Sequence, residues 1–262
     1  MDDRDVPDYM NTLRLDGRVF VVLGSGAGIG RQTTLALGQA GATVVCVDQR
    51  PDLAQAVAEE VGGMPVTADI SDRDELERVF GEARAHAGPV TGLIDIVGRP
   101  HLGPLADLDD AGWRSQFALV LDHAFLALQI GGREIAAAGG GSMVFVGSIS
   151  GSTHIPGQSA YGAAKAALHH LVTCMAGELA PAGVRVNAVS PGFVRTPRLD
   201  TRLDEGQWQQ VGAVIPRGMP GQPPEIAGPI LFLASDLASY VTGQVLRADG
   251  GLSGTTRIPE LW

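Results

Sequence analysis

Tyr161 and Lys165 stand four residues apart in the Ala-rich run Tyr161-Gly162-Ala163-Ala164-Lys165. At helical pitch that spacing turns a phenol and an ammonium to the same side, where both can act on one small volume. A neighbouring cation favours phenolate, so the pair predicts a tyrosine pKa drawn down from about 10 toward working pH. Such a tyrosine can pass a proton to or from an alcohol oxygen. Composition singles out the same place: of 19 basic residues, Lys165 is the sole lysine and the rest are arginine. A guanidinium fork does not mimic a compact ammonium, so this position is read as one that requires lysine. Ser148 follows the apolar run Met143–Val146 and precedes Tyr161 by thirteen positions. A hydroxyl at the carboxyl end of a strand can donate to a carbonyl oxygen as charge builds there. Ser150 and Ser152 are open alternatives, and spacing to the tyrosine selects Ser148.

A second constellation lies near the start of the chain. Val19–Leu23 runs into Gly24-Ser25-Gly26-Ala27-Gly28-Ile29-Gly30, and a helical pattern begins near Arg31. Strand, glycine-rich turn and helix in that order let backbone N–H groups approach a pyrophosphate at the positive end of the helix. The next apolar run ends in Val47-Asp48. An acid there can bind both ribose hydroxyls and would repel a 2′-phosphate, which predicts NAD rather than NADP. Arg50, two residues on, keeps NADP open as the alternative.

These groups need a frame, and the chain supplies a repeating one. Apolar runs at Val19–Leu23, Thr43–Val47, Met64–Thr67, Leu93–Val97, Met143–Val146, Arg185–Val189 and Val245–Arg247 alternate with helical segments. The expected crossover helices are Arg31–Ala40, Asp74–Ala87, Asp122–Ala138, Ala160–Leu179 and Pro224–Ala234. Continuous apolarity fits strands covered on both faces, and β then α repeated predicts a doubly wound parallel sheet. Residues 1–12 read as a loose tail and 13–262 as one dinucleotide-binding and catalytic domain.

The chain has 262 residues and a formal charge of −10, which disfavours DNA, RNA and anionic lipid as partners. Cys46 and Cys174 are its only cysteines, too few for a disulfide framework or metal cluster. The opening MDDRDVPDYMN has no hydrophobic segment of a secretory signal, and no apolar run reaches membrane-spanning length. A cytoplasmic protein with neither membrane nor nucleic-acid partner is expected. The six histidines, His86, His101, His123, His154, His169 and His170, lack metal-ligand spacing. His101 and His154, each after a strand end, are candidates for the substrate pocket.

Together these residues resemble the short-chain dehydrogenase/reductase family over residues 14–255. Gly24, Gly28 and Gly30 match its glycine turn, Asp48 its NAD-selecting acid, and Asp69-Ile70 its adenine-contacting pair. Ser148, Tyr161 and Lys165 match its catalytic residues. Asn187, Pro191-Gly192 and Thr196 resemble the segment leading to its nicotinamide-binding turn, with Val194 contributing backbone, and Thr242-Gly243 and Asp249-Gly250-Gly251 match its C-terminal strand region. The resemblance implies a single-domain Rossmann-type α/β fold with a seven-stranded parallel sheet, assembled as a homotetramer. It implies NAD held by Gly24, Ser25, Gly28, Ile29, Gly30, Asp48, Asp69, Ile70, Gly98, Tyr161, Lys165, Pro191, Gly192, Val194 and Thr196, and no metal. By the same resemblance Tyr161 is the general acid/base, Lys165 lowers its pKa and binds nicotinamide ribose hydroxyls, and Ser148 polarises the substrate oxygen.

Three positions depart from the family pattern. Leu23 replaces a threonine, Asp95-Ile96-Val97-Gly98 stands in place of Asn-Asn-Ala-Gly, and Val120 takes the place of a catalytic-helix asparagine. An ionised Asp95 accepts hydrogen bonds but cannot donate them, so an altered proton relay is expected. The leading expectation is interconversion of a secondary alcohol and a ketone on a mid-sized, largely apolar substrate of steroid, terpenoid or cyclic-alcohol type. The alternatives are non-net redox chemistry (epimerisation or dehydration) with bound NAD, and a non-catalytic NAD-binding sensor. Arg195, Arg198, Arg202 and Arg217, with Trp208, lie where the family places its mobile substrate lid; they are candidates to meet a carboxylate- or phosphate-bearing substrate, and the alternative is that most are solvated beside Asp200, Asp204 and Glu205. Trp262 is a candidate cover for a neighbouring subunit's pocket.

Overall fold

The computed structural model describes residues 6–255, so Trp262 lies outside the described residues. Seven strands form one sheet: β1 Val19–Leu23, β2 Thr43–Asp48, β3 Met64–Thr67, β4 Val90–Asp95, β5 Gly141–Val146, β6 Val184–Pro191 and β7 Val245–Ala248. Their order is β3-β2-β1-β4-β5-β6-β7, with every pair parallel. Strand order reverses direction between β1 and β4, where the crossovers leave toward opposite faces and open a crevice at the carboxyl ends.

The run Val19–Leu23 shows why this chain forms such a sheet. Val19, Val21 and Leu23 enter one apolar layer, whereas Phe20 and Val22 enter the other. Val45 and Val47 of β2 join the first layer, Val44 and Cys46 the second. Side chains alternate along a strand, so a run apolar at every position can be satisfied only by cover on both faces. Helices α1 (Gly28–Gln39), α2 (Pro51–Val61) and α9 (Pro223–Ala234) bury Leu37, Val57 and Ile230 in the second layer. Helices α3 (Arg73–His86), α5 (His123–Ala137) and α6 (Ser159–Leu179) bury Phe80, Leu128 and Val172 in the first. Truncating Leu37, Phe80, Leu128 or Ile230 to alanine removes about 2–5 kcal/mol of stability.

Several features differ from the sequence expectation, among them helices at Asp110–Phe117 and Glu205–Val214 that it lacks. Helix α2 occupies 51–61, for which the sequence reading has no helix; Pro51 at its first turn and Gly62 at φ 61° are its start and stop signals. Strand β4 lies earlier than expected and ends at Asp95, beside Leu23 of β1 and Phe145 of β5. Between α4 (Asp110–Phe117) and α5, residues Ala118–Asp122 form a π-helical turn carrying Val120. In the N-terminal segment, Asp8 accepts from the amides of Met10 and Asn11, ahead of a 3₁₀ turn at Asn11–Leu13.

Candidate active site

The glycine turn lies at the carboxyl end of β1. Gly24, at φ 78°, needs the left-handed backbone open to glycine. Gly30 is enclosed: a Cβ there would sit 1.9 Å from the Gly24 carbonyl oxygen. The turn is tied to β2, because the Gly24 and Ser25 amides donate to the Val47 carbonyl at 2.9 and 3.0 Å. Ser25 also spends its buried hydroxyl on that carbonyl, at 3.2 Å. Asp48 accepts from the Gly26 amide at 3.1 Å and from the Arg50 amide at 3.0 Å.

Two cavities meet over the sheet's carboxyl edge. The first, about 250 Å³, is lined by Gly24, Asp48, Asp69, Ile70, Gly98 and His123. The second, about 340 Å³, is lined by Ser148, Tyr161, Pro191, Gly192, Val194 and Thr196, with Ile29 and Gly98. Gly98 therefore belongs to both. Ser25, Gly28 and Gly30 face neither cavity; they shape the turn, and a Cβ on Gly28 would lie 3.5 Å from Thr196. An extended dinucleotide fits this arrangement: a backbone cradle with no room for side chains, a carboxylate at one end and a hydroxyl-bearing pocket at the other.

Helix α6 carries Tyr161 and Lys165 on one face, 8% and 1% exposed. Lys165 Nζ lies 5.7 Å from the Tyr161 ring centroid and donates to the Val146 carbonyl at 2.7 Å. It packs under the cofactor groove, since a Cβ on Gly98 would come within 3.0 Å of Nζ. Ser148 caps the short turn after β5 and donates to Ser150 Oγ at 3.2 Å, which donates to Gln158 Oε1 at 2.6 Å. Ser150 shares the pocket wall, whereas Ser152 is exposed and outside it.

The expected drop in the tyrosine pKa does not occur in the protein alone. Burial pushes the Tyr161 phenol up to about 12, a rise that a hydrogen bond with Ser148 eases. Burial pushes Lys165 down to about 8, against the opposing pull of the Asp95 charge. Desolvation disfavours both charged forms, and the ammonium aims at a backbone carbonyl rather than at the phenol oxygen. The apolar neighbours of Tyr161 include Val120 and Phe117, so the departure at Val120 thickens the wall that keeps this phenol neutral.

Sequence reasoning missed His123. It borders the first cavity together with Gly98, with Nε2 3.0 Å from Asp95 Oδ2 and 3.3 Å from Oδ1, both side chains 2% exposed. The shorter contact is poorly aligned, so the hydrogen bond runs to Oδ1, which also accepts from the Val97 amide at 3.0 Å. The one sequence signal was Asp95 itself, an acid inside an apolar run that calls for a buried partner. His101 and His154, the expected pocket candidates, are exposed; their neighbours Leu102 and Ile155 line the cavity instead. Cys46 is enclosed and its thiol is pushed up to about 12 by burial, which removes it from nucleophilic chemistry. Among the described residues, no three His, Cys, Asp or Glu side chains group as metal ligands, and no helix is long and apolar enough to cross a membrane.

Residues 24–253 match the family described as Enoyl-(Acyl carrier protein) reductase. The chain is 38% identical over 250 residues to galactitol 2-dehydrogenase (L-tagatose-forming) of Cereibacter sphaeroides, covering 93% of this chain and 98% of that one. Its structure is similar to a 7α-hydroxysteroid dehydrogenase complexed with NADH and 7-oxo-glycochenodeoxycholic acid, with TM-score 0.87, 32% identity, and 92% and 96% of the two chains covered. It is also similar to a gluconate 5-dehydrogenase from Burkholderia cenocepacia in complex with NADP and tartrate, with TM-score 0.87, 28% identity, and 94% and 99% covered. With its glycine turn, parallel sheet and Ser148–Tyr161–Lys165 cluster, the chain belongs to the short-chain dehydrogenase/reductase family of nicotinamide-dependent oxidoreductases.

Proposed function

We propose that this chain interconverts a secondary alcohol and a ketone with NAD as its cofactor, using Tyr161 as the proton-transfer group. The observation that carries the reading is the convergence of Tyr161 and Ser148 on one cavity that adjoins the glycine-turn groove through Gly98. The nicotinamide, when bound, supplies or receives the hydride. Ser148 orients the substrate oxygen, and Tyr161 donates a proton to it in reduction or accepts one in oxidation. A phenol held up to about 12 is protonated at neutral pH, the form that serves ketone reduction. Lys165 keeps a positive charge beneath Gly98, on the cofactor side of the phenol.

The preference for NAD rests on two side chains. Asp48 sits at the end of β2 on the groove wall, where its charge opposes a 2′-phosphate. Arg50, the group that could have welcomed one, is paired with Asp52 at 2.5 Å and points its fork there. In this reading Gly24, Ser25, Gly28, Ile29, Gly30, Asp69 and Ile70 shape the nucleotide end, and Pro191, Gly192, Val194 and Thr196 the nicotinamide end. The substrate's body is apolar, against Ile96, Leu102, Val146, Ile149, Ile155 and Leu203.

The working unit in this reading is a cytoplasmic homotetramer of a one-domain chain spanning 13–262. Exposed Trp113 and Phe125 on α4 and α5, and Tyr240 and Leu246 near β7, support two separate self-association faces. A spectrophotometric screen of secondary alcohols and ketones, wild type against Tyr161→Phe, tests the chemistry. Loss of about 10²–10⁴ in kcat with NADH binding retained is expected; equal rates would remove Tyr161 from the reaction.

A further inference from the structure

The segment over the second cavity carries four arginines, and the structure divides them. Arg195 is spent on Asp200 at 2.8 Å and Glu205 at 2.9 Å, with its fork over Trp208, and Arg217 is paired with Glu225. Arg198 and Arg202 have no carboxylate partner among the described residues, and neither does Arg99 on the opposite rim. All three line the cavity that holds Ser148 and Tyr161. Arg99 and Arg198 also border the nucleotide groove, whereas Arg202 borders the alcohol pocket alone.

We propose that Arg198 and Arg202, with Arg99, bind a carboxylate on the substrate, so that the alcohol this pocket takes is a hydroxy acid with an apolar body. The proposal deepens the alcohol-oxidoreductase reading and rests on it for the identity of the pocket. Three guanidinium groups facing one opening repel each other. Burial and then the charges of Arg202 and Arg99 all disfavour the charged form of Arg198. In a chain of net charge −10, acids are abundant, yet no Asp or Glu lines this cavity; Asp48 and Asp69 line the adjoining nucleotide groove, which Arg202 does not border. An oxyanion entering with the ligand relieves the repulsion, and planar forks on either side suit a carboxylate. The apolar wall of Ile96, Ile149, Ile155 and Leu203 then takes the carbon skeleton, and a cavity of about 340 Å³ suits a single-ring or short-chain body.

The competing occupant is the pyrophosphate of the bound dinucleotide, and Arg202 separates the two. The test measures calorimetric binding of cyclohexanecarboxylate and of the uncharged cyclohexanecarboxamide to the NAD-loaded protein, for wild type, Arg198→Gln and Arg202→Gln. Neither probe has a hydroxyl to oxidise, so the result does not depend on turnover. The proposal expects the carboxylate to bind at least about tenfold tighter than the amide, and each substitution to erase most of that difference. NADH affinity by fluorescence is expected to stay within twofold in Arg202→Gln. Failure of the carboxylate to bind, equal binding of the two probes, or a preference that survives Arg202→Gln overturns it. A loss of NADH affinity in Arg202→Gln as large as the loss of carboxylate affinity also overturns it, by assigning these arginines to the cofactor. Arg-dependent carboxylate binding together with full activity of Tyr161→Phe would instead uphold the anion site and defeat the catalytic reading alone.

Discussion

His123 holds the Asp95 carboxyl group in a buried pair, Nε2 3.0 Å from Oδ2, and borders the same cavity as Gly98, the glycine packed against Lys165 Nζ. Asp95 reaches this place because β4 ends there in the middle of the sheet; His123 opens α5, directly after the π turn at Ala118–Asp122. The carboxyl oxygen shared with the Val97 amide fixes the loop on which Gly98 sits. Removing one member leaves the other buried without its partner. Asp95→Ala is therefore expected to destabilise the fold by about 3 kcal/mol, read as a lower midpoint in urea with an unchanged slope. Asp95→Asn keeps the shape while deleting the charge that supports Lys165, so the Lys165 pKa is expected to fall below its present value of about 8. Neutral-pH kcat should drop, and stability at pH 7 should fall by less than in Asp95→Ala, through the larger cost of the buried Lys165 charge. An unchanged Lys165 pKa in Asp95→Asn would show that the charge has no separate role there.

Lys165 costs the fold stability where it serves the site. The unfolded chain holds this proton to about pH 10.5, whereas the folded protein releases it near 8. Folding is thus penalised in full below pH 8, by about 3 kcal/mol, and stability recovers as pH rises from about 8 toward 10.5. Lys165→Met removes the penalty but also the bond to the Val146 carbonyl, worth about 1–2 kcal/mol. The variant is expected to melt about 2–5 °C higher than wild type at pH 7 and to be inactive. The difference should shrink as pH approaches 10. A lower Tm for Lys165→Met at pH 7 would mean the Val146 bond outweighs the buried charge.

Val120 tests the link between apolar packing and proton transfer. The chain has only three tyrosines, so the difference between wild type and Tyr161→Phe in an ultraviolet pH titration isolates Tyr161. Its ionisation is expected near pH 12 in the cofactor-free protein. Val120→Asn puts a polar amide in the wall formed with Phe117 and should lower that value by about one pH unit. In the NAD-loaded enzyme, the rising limb of alcohol oxidation should move toward lower pH by a similar amount. An unmoved limb would place the controlling proton elsewhere.

Cofactor choice is expected to follow Asp48 and the Arg50–Asp52 pair together. Wild type should bind NADH at least about tenfold more tightly than NADPH, measured by fluorescence titration. Asp48→Ser should narrow that gap by weakening NADH and relieving repulsion of the 2′-phosphate. Adding Asp52→Ser frees Arg50 and should strengthen NADPH binding further. Tighter NADPH binding by wild type would reverse the assignment of Asp48.

Apolar runs such as Val19–Leu23, alternating with helical segments, made the doubly covered parallel sheet legible in the sequence, because a strand apolar at every position needs cover on both faces and intervening helices supply it. The glycine turn, Asp48 and the solitary lysine were legible for a related reason. Each is a local requirement, of backbone space or of one side-chain charge at fixed spacing. What only the tertiary structure decided depends on residues far apart in the chain. The burial that drives Tyr161 and Lys165 toward neutrality comes from Val120, Phe117 and Gly98, which no local spacing connects to α6. The pairing of Asp95 with His123 crosses 28 positions and joins the end of β4 to the start of α5. The lid arginines look alike in sequence. Folding spends Arg195 and Arg217 on nearby acids and turns Arg198 and Arg202 toward the pocket. Desolvation and charge pairing are set by everything within several ångströms, and that neighbourhood exists only once the chain has folded.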